Sequence, residues 1–234
     1  MGRAAKSPHE WRCEIKFIAS EMDLPTVNAC LKLHPCLFRE IYRPRRVNNT
    51  YFVTDALRFF NENRSGVAER TKIRIRWYGE KTPKVNPVLE YKIKSGISGR
   101  KKRYALPCCE TGIEGDTAAL QRAIDWALLP QRVRSDLACV RPWVGNSYKR
   151  RYYETNDRRF RVTIDTDLTY WKSDALWCDG ESVCRDGGRI VVELKFDAEL
   201  RSEAGSLFND FPLRVEKNSK YVRGVEQVYG LLDM

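Results

Sequence analysis

The chain has two histidines, His9 and His34, in 234 residues, and none of its eight cysteines stands in a C-x-x-C pair. Structural zinc takes four thiolate or imidazole ligands at short spacings, so this scarcity argues against a zinc framework and for reduced thiols. Cys178 and Cys184, on either side of a Gly/Asp-containing turn, are the one pair spaced to bridge. No apolar run approaches the ~20 residues of a spanning helix, and the basic residues of 1–11 are not followed by the apolar stretch of a secretory leader. The expectation is a cytoplasmic protein without a removed leader. There is also no repeat of 20–50 residues and no shift of composition that would mark a boundary, so residues 1–234 read as one domain.

What the chain has in abundance is positive charge. Lys and Arg number 42 against 31 Asp and Glu, a formal net charge of +11, with a pI near 9.3. Such an excess favours polyanions: nucleic acid, acidic lipid or phosphorylated small molecules. Hydrophobic residues at 42%, with 11% aromatics, are enough for a packed core, so the charge decorates a folded chain rather than a disordered one.

Period-2 alternation and β-branched or aromatic enrichment predict strands at 11–19, 47–53, 71–79, 87–95, 100–106, 148–155, 159–167 and 189–197. Eight strands form a closable barrel, so the expected fold is mainly β within the α+β class: an eight-stranded antiparallel tunnel with flanking helices. Helices are expected at 24–34, at 54–63 opened by Thr54 and Asp55, at 116–129 opened by Asp116 and Thr117, and at 219–232. Segments 79–87 and 96–100 and the pair Asn156-Asp157 read as turns. Residues 130–147 read as a Pro-bounded connection and 170–188 as a loop excursion.

Three expected strands repeat one triplet: Glu14-Ile15-Lys16, Glu90-Tyr91-Lys92 and Glu193-Leu194-Lys195. Alternation puts each Glu and its Lys on one face and the intervening apolar residue on the other. The same parity groups Arg74 with Arg76, Lys92 with Lys94, Lys101 with Arg103, Arg159 with Arg161, and Tyr148, Arg150, Tyr152 and Glu154. On one strand an ionic face is usually the wet outside. Here the opposite faces are apolar enough to receive the helices (Ile73, Ile75, Trp77; Val162, Ile164; Val192, Leu194, Phe196), which turns the charges inward. Like charges about 6–7 Å apart at an effective dielectric near 20 repel by roughly 2–3 kcal/mol. A basic bore therefore calls for a polyanion beyond what Glu14, Glu90, Glu154 and Glu193 neutralise, and Arg forks and Lys point charges suit phosphate. Carboxylates in such a site serve as salt-bridge partners or hold a hard cation, Mg²⁺ or Mn²⁺, against phosphate. At the start of the last helix Lys217 and Lys220 add charge, and Ser219 is a cap or a phosphate ligand.

These residues resemble the VTC (vacuolar transporter chaperone) polyphosphate polymerase domain, a branch of the triphosphate tunnel metalloenzymes. The resemblance runs from Arg12-Cys13-Glu14-Ile15-Lys16-Phe17 to Lys217-Asn218-Ser219-Lys220-Tyr221. Between these lie Asn48-Asn49-Thr50-Tyr51-Phe52, the stretch from Lys72 to Gly79, Leu89-Glu90-Tyr91-Lys92, the stretch from Arg161 to Asp167, and that from Val191 to Phe196. It implies phosphate ligation by Lys16, Arg74, Arg76, Lys92, Arg150, Arg161, Lys217 and Lys220. It further implies hydrogen bonds from Tyr148 and Ser219, metal ligation by Glu193, and Lys94 and Arg103 as further members of the basic set. Arg12 stands where the wider superfamily has the first Glu of E-x-E-x-K, which favours the VTC branch over an adenylate cyclase or thiamine triphosphatase. The length leaves no room for an SPX or membrane domain and implies a stand-alone catalytic domain.

The implied activity is Mg²⁺- or Mn²⁺-dependent transfer of the γ-phosphoryl group of ATP to phosphate or polyphosphate, with Arg74, Arg76, Arg161, Lys220 and Glu193 as the catalytic set. The rivals are a triphosphatase of the same fold, a non-catalytic polyphosphate binder, and an RNA-binding β-domain using the run Arg100-Lys101-Lys102-Arg103. No specific nucleic-acid partner is expected of a closed bore, and the sequence does not set the oligomeric state.

Overall fold

A computed structural model describes residues 12–19, 22–80, 84–96, 98–110, 116–173, 183–209 and 213–231. In chain order come β1 (Arg12–Ile18), α1 (Leu24–Leu33), β2 (Arg39–Val53), α2 (Arg58–Ser65) and β3 (Glu69–Tyr78). Next are β4 (Lys84–Val85), β5 (Val88–Ser95), β6 (Ser98–Ala105), β7 (Cys109–Glu110), α3 (Thr117–Asp125) and α4 (Gln131–Ala138). Then follow β8 (Arg141–Glu154), β9 (Arg161–Lys172), β10 (Cys184–Asp186), β11 (Val191–Asp197), α5 (Arg201–Asn209) and α6 (Lys220–Tyr229).

The eight long strands pair in the order β9-β11-β1-β6-β5-β3-β2-β8, and β8 returns to pair with β9. Every pairing is antiparallel. The ring is not sealed as a barrel. β1 meets β11 along its whole length, but among the described residues it shares with β6 only the pairs Arg12↔Gly99 and Cys13↔Ser98. Past Cys13 the described residues of β1 and β6 no longer pair.

The apolar faces point outward under the helices, as parity requires. Ile73, Ile75, Trp77 and Leu89 join Leu120 and Ala123 of α3 and Val133 of α4 in one buried cluster. Val162, Ile164, Val192 and Leu194 join Val27 and Leu31 of α1 and Ala204 and Leu207 of α5 in another. Trimming one of these wholly buried side chains to Ala costs about 2–5 kcal/mol.

Caps fix where three helices start. The Asp23 carboxylate accepts from Thr26 N at 2.8 Å, Asp116 from Ala118 N and Ala119 N, and Ser219 Oγ from Val222 N at 3.2 Å. The second helix starts later than expected: Leu57, at φ 52°, is its N-cap, while Thr54 Oγ1 accepts from Arg58 N. At the chain's last helix, a Cβ on Gly224 would come within 2.8 Å of the Tyr170 ring. Only glycine lets α6 approach β9 this closely, and that approach sets Lys220 in place.

Several expectations are corrected. Residues 130–147 are not a connection but hold α4 and the first half of β8. β2 begins at Arg39 rather than 47, and in its ladder with β8, from Arg39↔Glu154 to Val53↔Arg141, the early extension of each strand pairs with the later half of the other. β9 runs on to Lys172, into the expected excursion, and β10 pairs with it. Arg159 is not in the bore: it lies in the turn before β9 and pairs with Glu203 of α5 at 2.5 Å. Cys178 and the end of the expected last helix lie outside the described residues, and Cys184 is a free thiol.

Candidate active site

Two cavities open into the ring. The wider, of about 1070 Å³, is lined by Arg76, Lys101, Arg103, Arg150, Arg161 and Lys195 together with Tyr42, Arg45, Tyr78 and Tyr152. The narrower, of about 530 Å³, is lined by Lys16, Lys72, Arg70, Lys217, Ser219 and Arg223. Glu14, Lys92 and Lys94 line both.

Between them the bore is packed with ion pairs. Glu193 is buried among Lys195 (3.0 Å), Lys16 (3.3 Å), Arg150 (3.3 Å) and Lys220 (3.6 Å). Asp165, fully buried, takes the Arg150 fork at 2.5 and 2.6 Å and Lys220 at 2.5 Å. Burial alone would raise both carboxyls. The lysines and Arg150 outweigh it, holding Glu193 well below the usual carboxylate range and Asp165 below its own. Glu90 accepts from Arg74 and Arg103, and Glu14 accepts from Lys92 at 2.7 Å. Tyr148 lies under two cations, with the Lys220 ammonium 4.8 Å and the Arg150 guanidinium 5.1 Å from its ring, and its hydroxyl accepts from Arg76 at 3.2 Å.

Lys72 and Lys101 are different. Among the described residues neither has a carboxylate within ion-pair reach, and Lys72 donates to Ser219 Oγ at 2.7 Å. Burial, then Lys16, Lys92 and Arg70, push Lys72 well below the usual lysine value. Burial does the same to Lys101, Glu90 opposing it and Arg74 adding to it. These are cations short of counter-charge, and phosphate oxygens would supply it.

Among the described residues no three His, Cys, Asp or Glu gather in a metal cage. A divalent ion arriving on a triphosphate needs only one or two carboxylates, with phosphate and water completing its shell. The residues fit that arrangement: in the β1–β11 ladder Glu14 stands opposite Lys195 and Glu193 opposite Lys16, so the two carboxylates sit diagonally on one face of adjacent strands.

Residues 11–229 match the VTC domain family along nearly the entire chain. The chain belongs to that family. No protein of curated function matches it. Among solved structures, the PH1819 protein of Pyrococcus horikoshii OT3 is similar, with a TM-score of 0.52 at 14% identity over 92% of this chain and 98% of that one. A candidate adenylate cyclase from Vibrio parahaemolyticus has a TM-score of 0.51 at 10% identity, again over 92% and 98%. At these identities the likeness is one of fold.

In this VTC domain the residues expected of the site fall into three groups. Arg74, Arg76, Tyr148, Arg150, Glu193 and Lys220 form the packed waist. Lys16 and Lys92 reach from it into the cavities, with Lys94 beside them. Arg161, Arg103 and Lys217 sit at the rims, and Arg161 is exposed and paired with Glu154 at 3.4 Å. Lys217 is held on its rim by the strap before α6, where Glu216 N donates to Lys16 O at 2.9 Å and Lys16 Nζ to Asn218 O at 2.8 Å. Ser219 does cap α6, its hydroxyl facing the narrow cavity. In the basic run 100–103, Lys101 stands opposite Lys92 and Arg103 opposite Glu90 in the ladder, and all four residues line the wide cavity. The sequence reading missed Asp165 and Lys72. Both share a face with residues it did select, Asp165 four positions from Arg161 and Lys72 two from Arg74, so parity was the signal. It also missed Asn49, which accepts from Arg76 Nε at 2.8 Å and donates to Asn146.

Proposed function

We propose that this VTC domain is an enzyme acting as a single unit, a phosphotransferase that passes the γ-phosphoryl group of ATP to phosphate or polyphosphate within the basic ring. The observation carrying this reading is Glu193, a buried carboxylate among four cations, of which Arg150 and Lys195 line the wide cavity and Lys16 the narrow one. One cavity suits a donor, the other an acceptor chain.

Glu193, with Glu14 beside it, would hold Mg²⁺ or Mn²⁺ carried in on the triphosphate. When bound, that ion neutralises charge on the bridging and terminal oxygens. The chain's own task is positional and electrostatic. Arg76, Arg150 and Lys220 present fixed donors to the phosphate oxygens, Lys16, Lys92 and Lys72 line the path toward the narrow cavity, and Tyr148 and Asp165 orient the cations. Phosphoryl transfer asks for little covalent chemistry beyond such alignment. Arg74, whose fork is occupied by Glu90 and Tyr51, acts from behind Arg76, while Arg161, Lys217 and Ser219 guide phosphate at the rims. Hydrolysis is the second reading, favoured by the width of the larger cavity, which leaves room for water beside a nucleotide.

The test is incubation with ATP and Mn²⁺ or Mg²⁺, resolving products on a gel and measuring free phosphate. Phosphate chains lost in Glu193→Gln support the polymerase, while phosphate release without chains assigns the triphosphatase. Binding without turnover under any divalent metal would sink the enzymatic reading.

A further inference from the structure

The wide cavity carries a feature that phosphate binding does not use. Three tyrosines surround the Arg45 guanidinium, its carbon 4.8 Å from the ring centroids of Tyr78 and Tyr152 and 5.7 Å from that of Tyr42. Arg45 Nε donates to Tyr152 Oη at 3.1 Å, and Tyr42 meets Tyr152 edge to face at 5.6 Å. Tyr42 is 58% and Tyr78 42% exposed, high values for rings in a cluster, and both line the cavity.

The backbone is arranged to make this group. Tyr42 and Arg45 are three positions apart, so a regular strand would send them to opposite faces. The β2–β8 register shifts between Glu40 and Tyr42 and again between Tyr42 and Arg45. Irregularities of this kind re-aim side chains, and here both reach the same cavity. An exposed cation–π contact adds little stability by itself, so holding the folded chain together is a weak reason for three tyrosines on one arginine. The narrow cavity, by contrast, has no aromatic ring among the described residues lining it.

We propose that the Tyr42–Arg45–Tyr78–Tyr152 cluster seats the base of a nucleoside triphosphate, stacked on the exposed tyrosine faces and the guanidinium plane. The inference rests on the nucleotide reading above and adds which end of the nucleotide is held and by what. A nucleotide has one stackable end and one anionic end, and only the wide mouth offers planes beside cations. It therefore enters with its base outward at Tyr42 and Tyr78 and its phosphates directed past Arg76 toward Glu193. Stacking reads a π-face, which every base presents, so the cluster separates nucleotide from inorganic triphosphate rather than one purine from another.

The test compares affinities for ATP and inorganic tripolyphosphate, with Mg²⁺, in the wild type and in Tyr42→Ala/Tyr78→Ala, using calorimetry. Losing base stacking lowers affinity about tenfold, so the ratio of the two affinities moves about tenfold against ATP. Arg45→Lys, which keeps the charge and loses the plane, moves it the same way. The tripolyphosphate arm reports whether each variant still folds around its phosphate site. A ratio unchanged while both ligands bind overturns the base seat and leaves the phosphate reading standing. A wild type that binds neither ligand overturns both.

Discussion

The two mouths of the ring share β1, β3 and β5 and differ in what faces the solvent. The wide mouth mixes cations with tyrosines held by an irregular stretch of β2, whereas the narrow mouth is cationic and bounded by the strap and first turn of α6. Between them the charges are already neutralised by Glu193, Asp165, Glu90 and Glu14. A ligand entering the waist thus exchanges partners with carboxylates, while a ligand in the narrow cavity meets lysines that lack them. Basic residues in one bore are therefore not equivalent. Those paired in the free protein set the architecture, and those unpaired set the appetite for anion.

The largest expected effect falls on the waist that separates the mouths. Asp165→Ala leaves Arg150 and Lys220 buried against Glu193 alone, and breaking a buried pair from one side costs about 3–5 kcal/mol, read as a lower urea midpoint at constant slope. If the variant is as stable as wild type, the waist is not the structural element described here.

Next comes the narrow mouth. Lys72→Met removes a cation without a carboxylate partner, so affinity for ATP and for tripolyphosphate falls together, by roughly tenfold for one charged hydrogen bond. Unchanged affinity for both ligands would mean that the unpaired lysine of the narrow mouth does not draw the anion.

The pH dependence sharpens the same contrast. Lys72 and Lys101 are held below their ordinary value of 10.5 in the free protein, and phosphate raises them again. Between the lowered values and 10.5, binding takes up protons and weakens as pH rises. In that window the unfolded chain holds more protons than the free folded one, so stability without ligand rises with pH. Glu193, lowered from 4.5, has the same sign in acid: its stabilisation is complete above 4.5 and lost as pH falls from there through its folded value. Calorimetry of tripolyphosphate binding in buffers of different ionisation enthalpy measures the proton uptake, and a value of zero would remove the lysines' special status.

The smallest effect belongs to the rim. Lys217 is exposed, so Lys217→Ala weakens tripolyphosphate binding about twofold at low salt, and raised ionic strength erases the difference.

Much of this arrangement was legible because strand parity is a rigid rule. Once the apolar faces of β3, β9 and β11 were assigned to helices, the inward direction of Arg74, Arg150, Glu193 and their neighbours followed. What escaped depended on long-range pairing. Pro44 and the charges around it disguise the first half of β2, and Arg141-Pro142 disguises the start of β8, yet each finds its ladder on the legible half of the other strand. Arg159 was misassigned because a turn residue carries the same alternation as the strand it precedes. Asp165 was overlooked because its partner Lys220 lies on a helix 55 residues later, a distance over which no local pattern speaks. The Tyr42–Arg45 juxtaposition depends on register shifts that leave no mark in composition.

The parted wall between β1 and β6 has a bearing on how the protein behaves in company. A strand with an unpaired edge is a template on which another chain's strand can add. Beyond Cys13, β1 would offer such an edge, but the strap preceding α6 lies along it, with Val215 bridging Phe17 and Glu216 N bonded to Lys16 O. The same few residues that carry Lys217 to the narrow mouth therefore shield the sheet from self-association.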